Sequence, residues 1–251
     1  MESVLLSLRG VSKSHWRGPH EVRVLSQVSL DVPEGNVVSV WGTRGAGKTT
    51  LLEIAAGLQS ADQGIVSFRG EDLSKMSDGQ RTVLRGRHVG LVRRAGPRSD
   101  LRVIDHVALP VMAEHSERSA LRCAASALDR VGLSGCAKQR WRSLSDGERA
   151  LVSIAHAIVR QPALLLVDDP TMALDTVDRE TVSELLRSLA DCERIGALVT
   201  TPDMPAVMHS HEIRSLSGGR LLAPPKDTLL PGKVIEFPGG DGASGTGASS
   251  G

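Results

Sequence analysis

Residues Gly42-Thr43-Arg44-Gly45-Ala46-Gly47-Lys48-Thr49 fit the phosphate-binding pattern G-x-x-x-x-G-K-[ST] and follow directly on the apolar run Val37-Val38-Ser39-Val40-Trp41. The chemistry of such a loop is anion capture. Its glycines let the backbone curl until successive N–H groups point at phosphate oxygens, and a helix behind it offers the same anion its positive N-terminal end. Lys48 is spaced to reach the β and γ phosphates and Thr49 to ligate Mg²⁺, while Thr50 opens the helical run Thr50-Leu51-Leu52-Glu53-Ile54-Ala55-Ala56. A strand before the loop and a helix after it separate this pattern from a surface turn that carries Gly and Lys. The expected ligand is a nucleoside triphosphate.

A second run, Leu164-Leu165-Leu166-Val167-Asp168-Asp169, is an apolar strand ending in two carboxylates. Alone it reads equally as a strand closed by an Asp-Asp-Pro turn. With a phosphate loop upstream it has the form of a metal-organising strand, in which Asp168 and Thr49 hold Mg²⁺ between them. Shortly before it, Leu144-Ser145-Asp146-Gly147-Glu148 carries the spacing Ser145-x-x-Glu148, a capping box that opens an amphipathic helix.

These groups need elements to hold them, and 251 residues suffice for one α/β domain with a sizeable core. Residues 4–8, 28–32, 37–41 and 65–68 alternate or run apolar as strands do, and turn signals at Gly18-Pro19, Pro33-Glu34-Gly35 and Asp62-Gln63-Gly64 punctuate them. Helical spacing dominates from about residue 104 to 160, clearest over 119–128 and 148–159. Strand character returns at 163–167 and 197–200 with a helix over 182–189 between them, the βαβ alternation of a parallel sheet. Residues 223–251, rich in Pro, Gly and Ser, read as a disordered tail. No internal repeat is evident.

Composition narrows the function. Cys123, Cys136 and Cys192 form no C-x-x-C pair, so zinc and redox motifs are absent, a reducing cytosol is expected, and each reads as a small buried hydrophobe. A net charge of +1 offers no basic face for nucleic acid, and no apolar run is long enough to cross a bilayer. The N-terminus alternates like a strand and does not resemble a signal peptide. Any membrane role then comes through a partner.

Leu144-Ser145-Asp146-Gly147-Glu148 resembles the signature Leu-Ser-Gly-Gly-Gln/Glu of ATP-binding cassette (ABC) ATPases. Ala173-Leu174-Asp175 looks like the D-loop of that family, and Asp105-His106-Val107-Ala108-Leu109-Pro110 resembles a helix start found in its lipoprotein-releasing and macrolide-efflux types. The motifs stand in the family's order over residues 4–222. The resemblance implies a P-loop NTPase core with a parallel sheet, an N-terminal antiparallel β subdomain, and an inserted α-helical subdomain over about residues 95–160. It implies ATP and Mg²⁺ as ligands, and a dimer in which Ser145 and Gly147 face the γ-phosphate held by the other subunit. It also implies a membrane permease as partner, contacted through the helical subdomain and residues 94–110, with the chain peripheral at the inner face of the cell membrane. Long coiled-coil heptads or a basic surface, which a DNA-repair relative would need, are missing, and the signature disfavours a nucleotide kinase.

The chain departs from the family at five places. Asp169 stands where a glutamate polarises the attacking water, which sets the carboxylate back by more than about an ångström, an error able to cost about a hundredfold in rate. Thr201 replaces the switch histidine that contacts the γ-phosphate, with His209 and His211 as remote substitutes. Arg94, beside Arg93, replaces a glutamine that touches Mg²⁺ and water, and a guanidinium cannot ligate a metal. His15 or Trp16 takes the place of the aromatic residue that stacks on adenine, in a chain without tyrosine. Asp146 replaces a signature glycine and opposes the partner's phosphate. ATP binding is therefore expected intact and hydrolysis slow, either in a homodimer or as the degenerate half of a pair with a competent cassette. An ATP-responsive regulatory or structural module is the rival reading.

Overall fold

The computed structural model describes residues 3–93 and 100–222. β1 (Val4–Arg17) and β2 (His20–Pro33) form a long antiparallel hairpin, and β3 (Val37–Trp41) leads into the phosphate loop and α1 (Lys48–Ala55). β4 (Gln63–Phe68) returns to pair with β1, and the two-residue β5 (Glu71–Asp72) extends that sheet to the order β2-β1-β4-β5. α2 (Asp78–His88) runs straight into β6 (Val89–Val92). The helical block holds α3 (Val103–Ala108), α4 (Glu117–Arg130) and α5 (Asp146–Ile158). β7 (Leu164–Asp168), α6 (Thr176–Glu193) and β8 (Gly196–Thr201) make the βαβ unit, and β9 (Glu212–Ser217) and β10 (Arg220–Leu222) close the chain. The second sheet has the order β10-β9-β3-β8-β7-β6, parallel except for β10.

The unbroken apolar runs in β7 and β8 follow from burial on both faces. Leu164 and Leu166 of β7 and Leu198 of β8 point into a core shared with α1 and the hairpin, among Leu5, Leu25 and Leu51. The alternate residues Leu165, Val167, Ala197 and Val199 join the other core, with Val152, Ile154 and Ile158 of α5 and Leu186 of α6. One sheet thus divides two cores. Where it meets α5, Gly90 has to be glycine: a Cβ there would lie 2.6 Å from the Ala157 carbonyl oxygen.

Several segments differ from the sequence reading. The strands of the hairpin are fourteen residues each and not five, because polar residues on its outward face hide the alternation. α2 escapes a periodicity search because it buries no side chain; Ser77 and Gln80 define it through a capping box instead. Of the three free cysteines only Cys136 is buried, and Cys192 is exposed. Residues 94–99 and the tail from 223 lie outside the described residues.

The helical block contains a stack of aromatic rings. His106 on α3 lies 4.6 Å from His156 on α5, centroid to centroid with planes 19° apart, and meets the Trp141 ring edge-on at 5.4 Å. Burial, reinforced by the neighbouring His106, lowers the pKa of His156 to about 4, and burial also lowers that of His106. In the unfolded chain a histidine titrates near 6.5, so between those values the unfolded state binds a proton that the folded state refuses. The stability contributed by His156 is complete above pH 6.5 and is lost as the pH falls toward 4. The expected loss is about 3 kcal/mol, read as a falling urea midpoint between pH 6.5 and 4 that flattens in His156→Leu.

Candidate functional site

Parallel register carries the functional ends of three strands to one edge. Trp41 pairs with Thr201 across β3 and β8, and Asp168 pairs with Thr200 across β7 and β8. The loop that leaves β3 is tied down where Gly42 N–H donates to the Thr201 carbonyl at 3.1 Å and Trp41 Nε1–H to the Pro202 carbonyl at 3.0 Å. Gly47 caps α1 with φ +101°, and a Cβ there would lie 2.8 Å from the Val24 carbonyl oxygen, so this turn excludes every larger residue. α1 has no side-chain cap and no acidic residue in its first turn, whereas Ser77, Ser116, Ser145 and Asp175 cap α2, α4, α5 and α6. Its N-terminal N–H groups therefore remain available to an anion.

Lys48 is buried, and its ammonium donates to the carbonyls of Gly42 at 2.6 Å and Thr43 at 2.9 Å. Burial lowers its pKa, while the carboxylates of Asp169 and Asp168 act against that shift. Asp168 is gripped from two sides: Thr49 Oγ1 donates to Oδ2 at 2.9 Å and Thr200 Oγ1 to Oδ1 at 2.8 Å. Asp169 follows in the left-handed region at φ +50°, which aspartate tolerates better than most residues, and its N–H donates to the Thr200 carbonyl at 2.7 Å.

Two adjoining cavities of about 430 Å³ each open on this edge. Arg44 and Gly45 line both, Gly47, Lys48, Thr49 and Thr50 line the first, and Thr43 and Ala46 line the second. Gly42 lies beneath them and contributes its carbonyl to Lys48. Asp168 and Asp169 close the first cavity, and His15 and Val24 wall both. The strand alternation of β1 separates the two aromatic candidates: His15 lines the cavities, whereas Trp16 turns out to solvent with 72% of its surface exposed. The carboxylate pair with its hydroxyl donors suits a hard divalent cation, which prefers oxygen ligands.

Other expected positions lie elsewhere. Thr201 is fully buried and its hydroxyl accepts from the Asp203 N–H at 3.0 Å, so its side chain faces away from the cavity, which Pro202 lines in its place. His211 is structural, accepting from Val37 N–H at 2.9 Å and lying 3.0 Å from Asp191. Ser145 and Gly147 do not line the phosphate cavities. Ser145 exchanges hydrogen bonds with Glu148 in the expected capping box, and a Cβ on Gly147 would collide with the Asp178 carboxylate. Asp146 is paired with Arg149 at 3.0 Å. It borders a separate cleft of about 330 Å³ that also reaches Arg93, Asp168 and Asp169. Arg94 lies outside the described residues. Sequence reasoning missed Thr200, Val24 and Arg149; a threonine ending a strand beside the acidic strand was the available signal for the first.

A parallel sheet whose edge joins a phosphate loop to an Asp-tipped strand, with an antiparallel sheet on one face and helices on the other, defines a P-loop ATPase of the cassette class. The model of the ABC transporter family matches residues 25–172, and the chain belongs to that family, as an ATP-binding subunit. It is 34% identical over 223 residues to the lipoprotein-releasing system ATP-binding protein LolD of Pseudomonas syringae pv. tomato, covering 88% of this chain and 98% of that protein. It is 35% identical over 221 residues to the LolD of Oleidesulfovibrio alaskensis, covering 87% and 93%. Among solved structures it is similar to the cassette MJ0796, seen as a dimer in a post-hydrolysis state bound to ADP and Pi, with TM-score 0.78, 27% identity, and 86% and 96% of the two chains covered. No helix among the described residues is long and apolar enough to cross a membrane.

Thr200→Val keeps shape but strips Asp168 of one donor. The expected result is a stability loss of about 1–2 kcal/mol by urea unfolding and a higher Mg²⁺ requirement for ATP binding.

Proposed function

We propose that this chain is the ATP-driven subunit of a transporter of the lipoprotein-releasing kind, working as a dimer on a separate membrane permease and hydrolysing ATP slowly. The observation that carries the nucleotide part is the Thr49 hydroxyl on the Asp168 carboxylate at 2.9 Å, beside a buried Lys48 and an uncapped helix terminus. Thr49 and Asp168 would hold Mg²⁺, whose part is to neutralise phosphate charge. Lys48 exchanges its two carbonyl partners for phosphate oxygens, and His15 offers its ring to the base. Relatives named as lipoprotein-releasing ATP-binding proteins support the transport class. Leu109 and Met112, beyond the end of α3 and 48% and 47% exposed, support a protein contact at and just after residues 94–110. The subunit then sits at the inner membrane face through that contact.

Slow turnover follows from what surrounds the attacking water. Asp169 is one methylene short of a glutamate, Thr201 is buried with its hydroxyl accepting from the Asp203 N–H, and Arg94 stands where a metal-touching glutamine is expected. The Arg149 guanidinium beside Asp146 offsets the carboxylate at the signature, although both groups are largely solvated and the pair is worth little. The dimer of MJ0796 bound to ADP and Pi supports a dimeric assembly here, in which Ser145 and Gly147 would face the nucleotide of the other subunit. The same departures favour a second reading, in which this chain is the degenerate half of a heterodimer and its phosphate loop faces a partner's intact signature.

Steady-state hydrolysis with Mg²⁺ tests the reading. Wild type is expected to bind ATP and turn over below about 1 s⁻¹, the low end of ordinary enzymes. Asp169→Glu should raise kcat about tenfold or more, Thr201→His alone should change it little because the site is buried, and Lys48→Ala should abolish binding. Brisk wild-type turnover that Asp169→Glu leaves unchanged would refute slow hydrolysis.

A further inference from the structure

We infer that the Arg44 side chain binds the terminal phosphate of ATP from within the same subunit, and so makes this site selective for the triphosphate over the diphosphate. The inference rests on the ATP-binding reading above and adds a specificity-determining residue to it. Arg44 is the second variable residue of the phosphate loop, exposed, and it lines both cavities at the loop. Its guanidinium reaches across from the loop to the turn that follows the acidic strand, where Nη2 donates to the Met172 thioether at 3.9 Å. A thioether is a weak acceptor, so leaving it costs little. No ion pair holds Arg44 among the described residues, although Asp168 and Asp169 line the same cavity. The group is a charged fork parked over the mouth of a phosphate site on a partner that it can readily give up.

The end of β8 adds no side-chain cation to this edge. Thr201 donates nothing to the cavity because its side chain is buried and turned to Asp203, and Pro202, which lines the cavity there, has no N–H. Apart from the His15 ring, Lys48 and Arg44 are the cationic side chains that line the first cavity among the described residues. They reach it from different points. Lys48 rises from the floor at the start of α1, whereas Arg44 arches over from the loop to Met172, toward the side where Asp169 stands. The two are close enough for the charge of Arg44 to act on the ammonium of Lys48, and an added anion between them relieves that repulsion. A guanidinium matches two phosphate oxygens with two parallel N–H groups, a geometry an ammonium cannot reproduce. It also supplies charge without ordering a water molecule, which suits a site that retains ATP and hydrolyses it slowly.

The test is titration calorimetry on the full chain with Mg²⁺, using a non-hydrolysable ATP analogue and ADP, at concentrations where the chain sediments as a monomer. Arg44→Ala is expected to weaken the triphosphate about tenfold or more and ADP by less than about twofold. Arg44→Lys should recover part of the loss, since charge returns without the fork. Equal losses for both nucleotides, or no loss for either, would overturn the role of Arg44 while leaving ATP binding intact. If wild type binds neither nucleotide, the ATP-binding reading itself falls and this inference with it. Lys48→Ala, expected to abolish binding of both nucleotides, marks the site independently of Arg44.

Discussion

The carboxylate of Asp168 is held by one hydroxyl on each oxygen, and the whole site depends on that grip. Thr49 reaches it from the first turn of α1 and Thr200 from the neighbouring strand. Both contacts exist because β3, β8 and β7 lie in parallel register, so that Trp41, Thr201, Thr200 and Asp168 arrive at the same sheet edge. The register in turn is fixed by the two-sided burial of the sheet. Leu164, Leu166 and Leu198 on one face and Leu165, Val167 and Val199 on the other all sit in packed cores, and a one-residue slip would exchange every one of them. Packing far from the phosphate loop thereby sets the distance between the Thr49 hydroxyl and the Asp168 carboxylate.

The same edge stores an electrostatic demand. Lys48 is a buried cation satisfied by two carbonyl oxygens, and its pKa is depressed because burial outweighs the help of Asp169 and Asp168. A phosphate anion repays that desolvation more fully than neutral carbonyls do, which is why an uncapped helix terminus and a lysine held only by neutral oxygens stand side by side. The loop accomplishes this largely with backbone groups. The side chains of Arg44 and Ala46 line the cavities around that backbone cradle. Gly42 and Gly47 permit no such freedom, because added Cβ atoms would meet the Leu216 and Val24 carbonyl oxygens at 2.6 and 2.8 Å.

How much was legible in the sequence follows from which forces leave a local trace. The phosphate loop, the acidic strand and the Ser145 capping box are contiguous, and each was readable because its function resides in successive backbone and side-chain groups. The full hairpin was not, since its outer residues are polar and its pairing, Val4 with Pro33 out to Arg17 with His20, is a tertiary fact. α2 was invisible for the opposite reason: it buries nothing, so no apolar period exists to find. Within the site, the choice between His15 and Trp16 came down to strand parity, which only the pairing to β2 determines. Thr201 illustrates the harder case. Its position was readable, but its side chain is spent on a local turn to Asp203, and no spacing rule announces that.

The pattern of what is kept and what is changed has a physical logic. Phosphate capture needs a fold, a curled backbone, one cation and one gripped carboxylate, all of which the chain retains at geometries that leave little slack. The positions that depart from the family pattern are of another kind: Asp169 carries a short side chain, Thr201 is buried, and Asp146, where the signature has a glycine, is paired with Arg149. Changing Asp169 or Asp146 costs the fold little, because neither side chain is buried in a core. Losing the first set would leave a desolvated lysine and an acidic strand end without partners. The phosphate cradle is therefore fixed by the same packing that fixes the sheet register, whereas the Asp169 and Asp146 side chains can vary without disturbing it.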